Sequence, residues 1–165
     1  MGALSGEYRV IGEAAAAGNA SFGDAFDLGP KISRGEHYRG LPWVMLDYPR
    51  AFGKADVLAI RTMFWWGHEF SVTLHLKGCY QELFLPVIEA RRGALAAAGF
   101  HAGVGVDEWR HEHAPENYVP VTEEGTLVGG HGFFKLSAAI GVDRWAEAPP
   151  VLTERYRVLV DVVFG

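Results

Sequence analysis

The chain has 165 residues, of which 49% are apolar and 21% charged, with a formal net charge of −5. A chain of this length buries roughly two-thirds of its unfolded surface, so residues 1–165 are expected to form a single globular domain that needs no staple. The negative balance, with no basic run longer than Arg91-Arg92, excludes a general nucleic-acid binder, and the lone cysteine, Cys79, excludes a disulfide scaffold.

The opening MGALSGEYRVIGE does not read as a secretory leader. It also misses the myristoylation pattern, because position 6 is glycine. No window approaches the roughly 18 apolar residues of a membrane span. A soluble, cytoplasmic protein with no membrane partner is therefore expected. Asn19-Ala20-Ser21 matches a glycosylation acceptor but has no leader to give it meaning.

Residues 1–40 are rich in Gly and Ala and weakly periodic, so a weakly structured or short-helical segment is predicted, with breaks at Gly18 and Gly23. Gly35 to Leu41 reads as a loop carrying His37, Tyr38 and Arg39. Pro42 to Tyr48 reads as a short strand that Pro49 ends.

Residues 56–77 carry the strongest local pattern. Phe70, Val72, Leu74 and Leu76 alternate with Glu69, Ser71, Thr73, His75 and Lys77, the period of a half-buried strand. The turn around Gly67 makes a hairpin. Burial fixes its register: with Trp65 opposite Glu69, the residues Leu58, Ile60 and Phe64 join the apolar face. A slip of one residue would put Arg61 among them.

Glu82 to Ala98 is predicted as one amphipathic helix with Leu83, Val87, Ala90, Ala94, Leu95 and Ala98 as its stripe and Gly99 as its cap. Residues 103–113 read as a long strand with Trp109, His111 and His113 on one face. A loop follows to Thr126, then the flexible run Gly129-Gly130-His131-Gly132. Phe133 to Ile140 is a further strand. Pro149-Pro150 opens a last helix that buries Val151, Leu152, Tyr156, Leu159, Val162 and Val163.

The fold expected from these elements is α+β, a mostly antiparallel sheet of four or five strands with helices packed on one side.

Three groups of residues point to chemistry. Asp47 and Arg61 each interrupt an apolar strand. A buried charge needs a partner, so Arg61 is expected to have a carboxylate within contact distance, either Asp47 or Glu69. Arg61 would then either fix strand order or offer its planar fork of donors to an anion. His111 and His113 share a strand face; with His75 as third ligand they would suit zinc or iron. A polar face or loop entrance explains them more plainly. The third group is the mixed hairpin face of Arg61, Met63, Trp65, Glu69, Ser71, Thr73 and His75, an aromatic wall with a few polar groups, as ligand pockets often show. A covering helix or a second copy of the chain is the competing account of that face.

Other motifs are missing. Gly103-Val104-Gly105 lacks the third glycine of a dinucleotide fingerprint, and the sequence has no P-loop, no HExxH and no GxSxG. Cys79 has no base to pair with in the sequence pattern and reads as a packing residue. No complete motif implies a cofactor, and no catalytic residue can be assigned. The leading expectation is a binding domain for a small molecule, with an anion the form that Arg61 favours. The alternatives are a metal-assisted enzyme on His75, His111 and His113, and a protein-interaction or homo-oligomerisation module.

Overall fold

The computed structural model describes residues 1–18, 23–127 and 131–165. The Asn19-Ala20-Ser21 acceptor and the Gly129-Gly130 pair lie outside them. The described chain is α+β. Helix α1 spans Gly2–Gly18 and the short α2 spans Gly23–Phe26. Strands β1 (Lys31–Tyr38), β2 (Leu41–Phe52), β3 (Val57–Trp65) and β4 (Glu69–Lys77) follow as a meander. Helices α3 (Cys79–Ala90) and α4 (Arg92–Ala97) lead to β5 (His101–Gly103), β6 (Tyr118–Pro120) and β7 (Phe133–Gly141). A 3-10 turn over Val142–Glu147 runs into α5 (Ala148–Phe164). Among the described residues no helix is long and apolar enough to cross a membrane.

Among the described residues seven strands form one antiparallel sheet in the order β1-β2-β3-β4-β7-β5-β6. The expectation of four or five strands is corrected. The additional ones are short or lie at an edge: β5 and β6 have three residues each, and β1 is largely exposed on both faces. None of these shows the alternation that a half-buried strand needs.

The β3–β4 hairpin has the expected register. Trp65 faces Glu69 around the loop Trp66-Gly67-His68, and Ile60 faces Leu74. Gly67 takes a left-handed φ of 75° there. Leu58, Ile60, Phe64, Phe70, Val72, Leu74 and Leu76 enter the main core, which also takes in the buried residues of α1, α3 and α5. Tyr8 of α1 stacks on Tyr156 of α5 at 3.7 Å, and its hydroxyl lies 3.0 Å from Thr62 Oγ1 of β3. Gly12 lets α1 lie close against β2, since a Cβ there would stand 2.5 Å from the Tyr48 ring.

Four local expectations are revised. Residues 1–40 hold a 17-residue helix and an eight-residue strand, with His37 and Tyr38 at the end of that strand rather than in a loop. Pro49 does not end β2; it sits where the pairing with β3 shifts register, between Asp47 and Arg50, a place where a missing N–H costs no ladder bond.

The helix predicted over 82–98 begins earlier and breaks at Arg91, whose φ is −109°. Asp56 Oδ1 accepts the N–H of Cys79 at 2.7 Å and starts α3. Phe84, Ile88 and Leu95 are the buried residues, while Leu83 and Val87 are exposed. The run Leu83-Phe84-Leu85-Pro86-Val87-Ile88 is apolar on every side, so its pattern alone favours no stripe.

The long strand expected over 103–113 is absent beyond Gly103. Residues 104–117 form an irregular strap whose N–H groups bond largely to side chains and turns instead of a ladder.

Candidate functional site

The face of the sheet opposite the main core is a grid of polar and aromatic side chains. Asp47, Arg61, Thr73, Ser137 and His101 stand in register across β2, β3, β4, β7 and β5. One step along are Met45, Met63 and Ser71, then Trp43, Trp65 and Glu69. One step the other way are Ala59, His75 and Lys135. Strand alternation therefore places every member of the expected hairpin-face group together.

The element covering this face is the strap 104–117. Lys135 is 2% exposed, and its Nζ donates to the carbonyls of Glu108 (3.2 Å) and Arg110 (2.5 Å). The N–H of His111 donates to the Tyr38 hydroxyl at 2.7 Å, and the N–H of His113 to Glu69 Oε1 at 3.1 Å. Tyr38 in turn donates to Glu112, which also receives Arg39 and Arg110. Lys77 binds Glu108 at 3.0 Å.

Between the strap and the end of the sheet lies a pocket of about 260 Å³ lined by His37, Tyr38, Trp43, Met45, Arg61, Met63, Trp109 and His111. Gly35 lets the Trp43 indole lie across β1, since a Cβ there would fall 2.7 Å from the ring. Tyr38 meets Trp65 edge-on at 5.4 Å, and Trp65 packs with Met45 and Met63. The wall is thus mostly aromatic and thioether. A larger groove, about 540 Å³, runs between α1 and α5. The smaller pocket is the better candidate because buried polar groups converge on it, which the groove does not offer.

Of the two carboxylates expected beside Arg61, Asp47 is the partner: Arg61 Nε donates to Asp47 Oδ1 at 2.8 Å. The guanidinium carbon also lies 5.1 Å from the Phe52 ring and 5.5 Å from that of Trp109. Its Nη1 is buried without a hydrogen-bond partner, and so is Trp65 Nε1. Such atoms are uncommon in a folded interior and each calls for an explanation.

Thr73 and Ser137 hydroxyls share a hydrogen bond of 2.7 Å. Ser71 is buried on the row of Met63. His75, 1% exposed, meets Trp109 edge-on at 5.4 Å. Glu108 Oε2 comes within 3.3 Å of its Nε2 without being aligned to accept a hydrogen bond, and neither ring nitrogen is satisfied.

The electrostatics follow from this crowding. Burial, then the charges of Lys135 and Arg61, push His75 down to about 4 against the weaker pull of Glu108. His111 is held well below its ordinary value by burial and by Lys135, Arg61 and His75. Burial and then Arg61 lower Lys135 to about 8. Burial raises Glu69. For Glu112, burial acts upward, but the hydrogen bonds from Tyr38 and Arg110 outweigh it and lower the carboxyl.

His75, His111 and His113 are not brought to one point. His113 Nε2 bonds Ser137 Oγ at 2.8 Å, and its ring stacks on Tyr118 at 4.6 Å beside His101. Among the described residues no group of three or more His, Cys, Asp or Glu is placed to hold a metal ion. Cys79 is exposed at the start of α3.

No family model, curated protein or solved structure matches the chain. The site must therefore be read from its own geometry. The sequence reading missed His37, Tyr38, Trp43, Met45 and Lys135. Met45 was within reach, because it alternates with Leu46 beside Asp47. Lys135 was too: it interrupts the apolar run Phe133–Ile140 as Arg61 interrupts β3.

Proposed function

We propose that the chain binds a small organic anion with a flat apolar body, in the pocket between the strap and the end of the sheet, with the helices packed against the other side of that sheet. The observation that carries this reading is Arg61, a pocket-wall guanidinium whose Nε is taken by Asp47 while a buried Nη1 lacks a partner. A guanidinium offers paired donors in a plane, which suits a carboxylate, sulfonate or phosphate. The wall contributes His37, Arg61 and His111 but no carboxylate, so it offers no anionic partner to a cation. Trp43, Tyr38 and Trp109 supply faces for an aromatic or aliphatic ring, and Met45 and Met63 adapt to its outline. The volume lies just under the usual range for drug-sized ligands, roughly 300–1,000 Å³, and fits a single ring with its acid group.

The test is titration of benzoate, benzenesulfonate and phenyl phosphate, with neutral benzamide as control, followed by tryptophan fluorescence and thermal shift. The anions are expected to bind and benzamide not to. Met63→Phe, which fills the pocket and leaves every charge in place, should abolish the response while circular dichroism stays unchanged. Equal responses to benzoate and benzamide, or binding that survives Met63→Phe, would refute the reading.

A further inference from the structure

Behind the pocket wall the basic groups continue. His75 stands directly opposite Lys135 on β7, and opposite Ala59 on β3. Arg61 is therefore the diagonal neighbour of His75, a placement that puts side chains about 7–8 Å apart. From above, the strap brings His111, 8% exposed, into the pocket wall. Four basic side chains from three strands and the strap thus crowd into one buried region.

The carboxylates around them are already engaged. Asp47 holds Arg61 Nε, Glu108 holds Lys77, and Glu112 takes Tyr38, Arg39 and Arg110. Arg61 Nη1 and both ring nitrogens of His75 are left without a partner. No carboxylate is left over to pair with those atoms.

Resting on the anion-binding reading, we propose that the anion enters together with one proton, carried on the imidazole of His111. No covalent bond forms or breaks. The anion comes from solvent with its charge intact, a solvent proton adds to the ring, and the imidazolium pairs with the anion beside Arg61.

The groups that face His111 decide the direction. They are Arg61 of β3, His75 of β4, Lys135 of β7, and His37 and Tyr38 at the end of β1; Arg110 and Glu112 flank it in the strap. In the free pocket, burial and the charges of Lys135 and Arg61 keep the ring neutral. A bound anion offsets the field of Arg61 and favours the charged ring. Between the lowered value of the free ring and the raised value of the occupied one, the complex holds one more proton. Affinity therefore rises as pH falls through that window, by up to about tenfold per pH unit, and is flat above it. The pocket loads in acid and unloads towards neutrality.

The experiment is calorimetric titration of the intact chain with benzenesulfonate, which stays ionised throughout. It is run from about pH 5.5 to about pH 8 in buffer pairs of different ionisation heat. Uptake near one proton per ligand is expected at the acid end and none at the other. His111→Gln keeps the backbone N–H that binds Tyr38; it should bind more weakly, without proton uptake and without pH dependence. His75→Gln should retain the uptake. Binding without uptake in the parent would overturn the proton coupling and leave the anion site standing. Uptake that survives His111→Gln, or is lost only in His75→Gln, would overturn the assignment to His111. No binding at any pH would overturn the anion site itself.

Discussion

Leu74 and His75 are neighbours on β4, and both are almost fully excluded from solvent. They nevertheless sit in different media. Leu74 points into a core shared by the sheet and the buried residues of the helices. There, stability is area removed from water and tight packing, and both are indifferent to pH. His75 points to the strap side, where Lys135, Arg61, Glu108 and Trp109 surround a ring with no satisfied nitrogen. There, burial imposes desolvation on every charged group, and hydrogen bonds and counter-charges only partly offset it. One sheet thus carries a face that holds the fold and a face whose polar atoms are left wanting a partner. A surface under that tension is where a ligand has most to contribute.

The largest difference between the faces should appear in acid. His75 and His113 are lowered to about 4, and His111 also lies well below its ordinary value. In the unfolded chain each titrates near 6.5. The unfolded state therefore binds the protons first. Stability is full above about pH 6.5 and falls as pH drops towards 4, by up to roughly 3 kcal/mol for each of His75 and His113, with a further loss in the same direction from His111. Hydrogen exchange read between those limits should show residues 104–117 losing protection while amides of β4 and β7 keep theirs. The triple variant His75→Gln, His111→Gln, His113→Gln should flatten the profile. Uniform loss of protection over the whole sheet would contradict the division.

The Asp47–Arg61 pair tests the same contrast at one point. Both side chains are largely buried. Asp47→Leu leaves the guanidinium without its carboxylate and should cost about 3–5 kcal/mol, read from chemical denaturation. Asp47→Leu with Arg61→Met turns the site into a piece of ordinary core and should return to within about 1 kcal/mol of the parent, with anion binding lost. Additive losses in the two single variants would show that the pair is not coupled.

How much of this was legible in the sequence depended on whether local pattern or distant contact decided the outcome. The β3–β4 hairpin could be read because slipping its register exchanges Ile60 for Arg61 on a buried face. The need of Arg61 for a carboxylate could be read because the charge interrupts an apolar strand, whereas the choice of Asp47 over Glu69 could not. β1 could not, since an edge strand with Gly35, Glu36 and His37 exposes most of its residues. The strap imitated a strand: Trp109, His111 and His113 recur at a period of two. Its shape is set instead by Tyr38 and Glu69, which take its N–H groups from 73 and 44 residues away. Local pattern cannot report bonds of that range, so neither the strap nor the pocket it closes could be foreseen.

The smallest expected effect concerns the joint between strap and sheet. The Tyr38 hydroxyl does two jobs: it accepts the His111 N–H at 2.7 Å and donates to Glu112. Its ring is held separately, edge-on to Trp65 at 5.4 Å, so Tyr38→Phe removes the oxygen without moving the ring. Losing one partly buried hydrogen-bonding group should cost about 1 kcal/mol of global stability. The local consequences are more telling. The His111 amide should exchange faster, because its acceptor is gone. The Glu112 carboxyl, lowered in part by the Tyr38 hydroxyl, should titrate higher, with Arg39 and Arg110 still opposing the rise. His111 is pocket wall, so a looser strap should weaken anion binding by about fivefold, the equivalent of about 1 kcal/mol. Backbone and carboxyl resonances followed by NMR report all three together. Faster exchange confined to His111 and its neighbours, with an upward shift at Glu112, would confirm that this hydroxyl ties the wall to the sheet; an unchanged Glu112 titration alongside unchanged exchange would show that it does not.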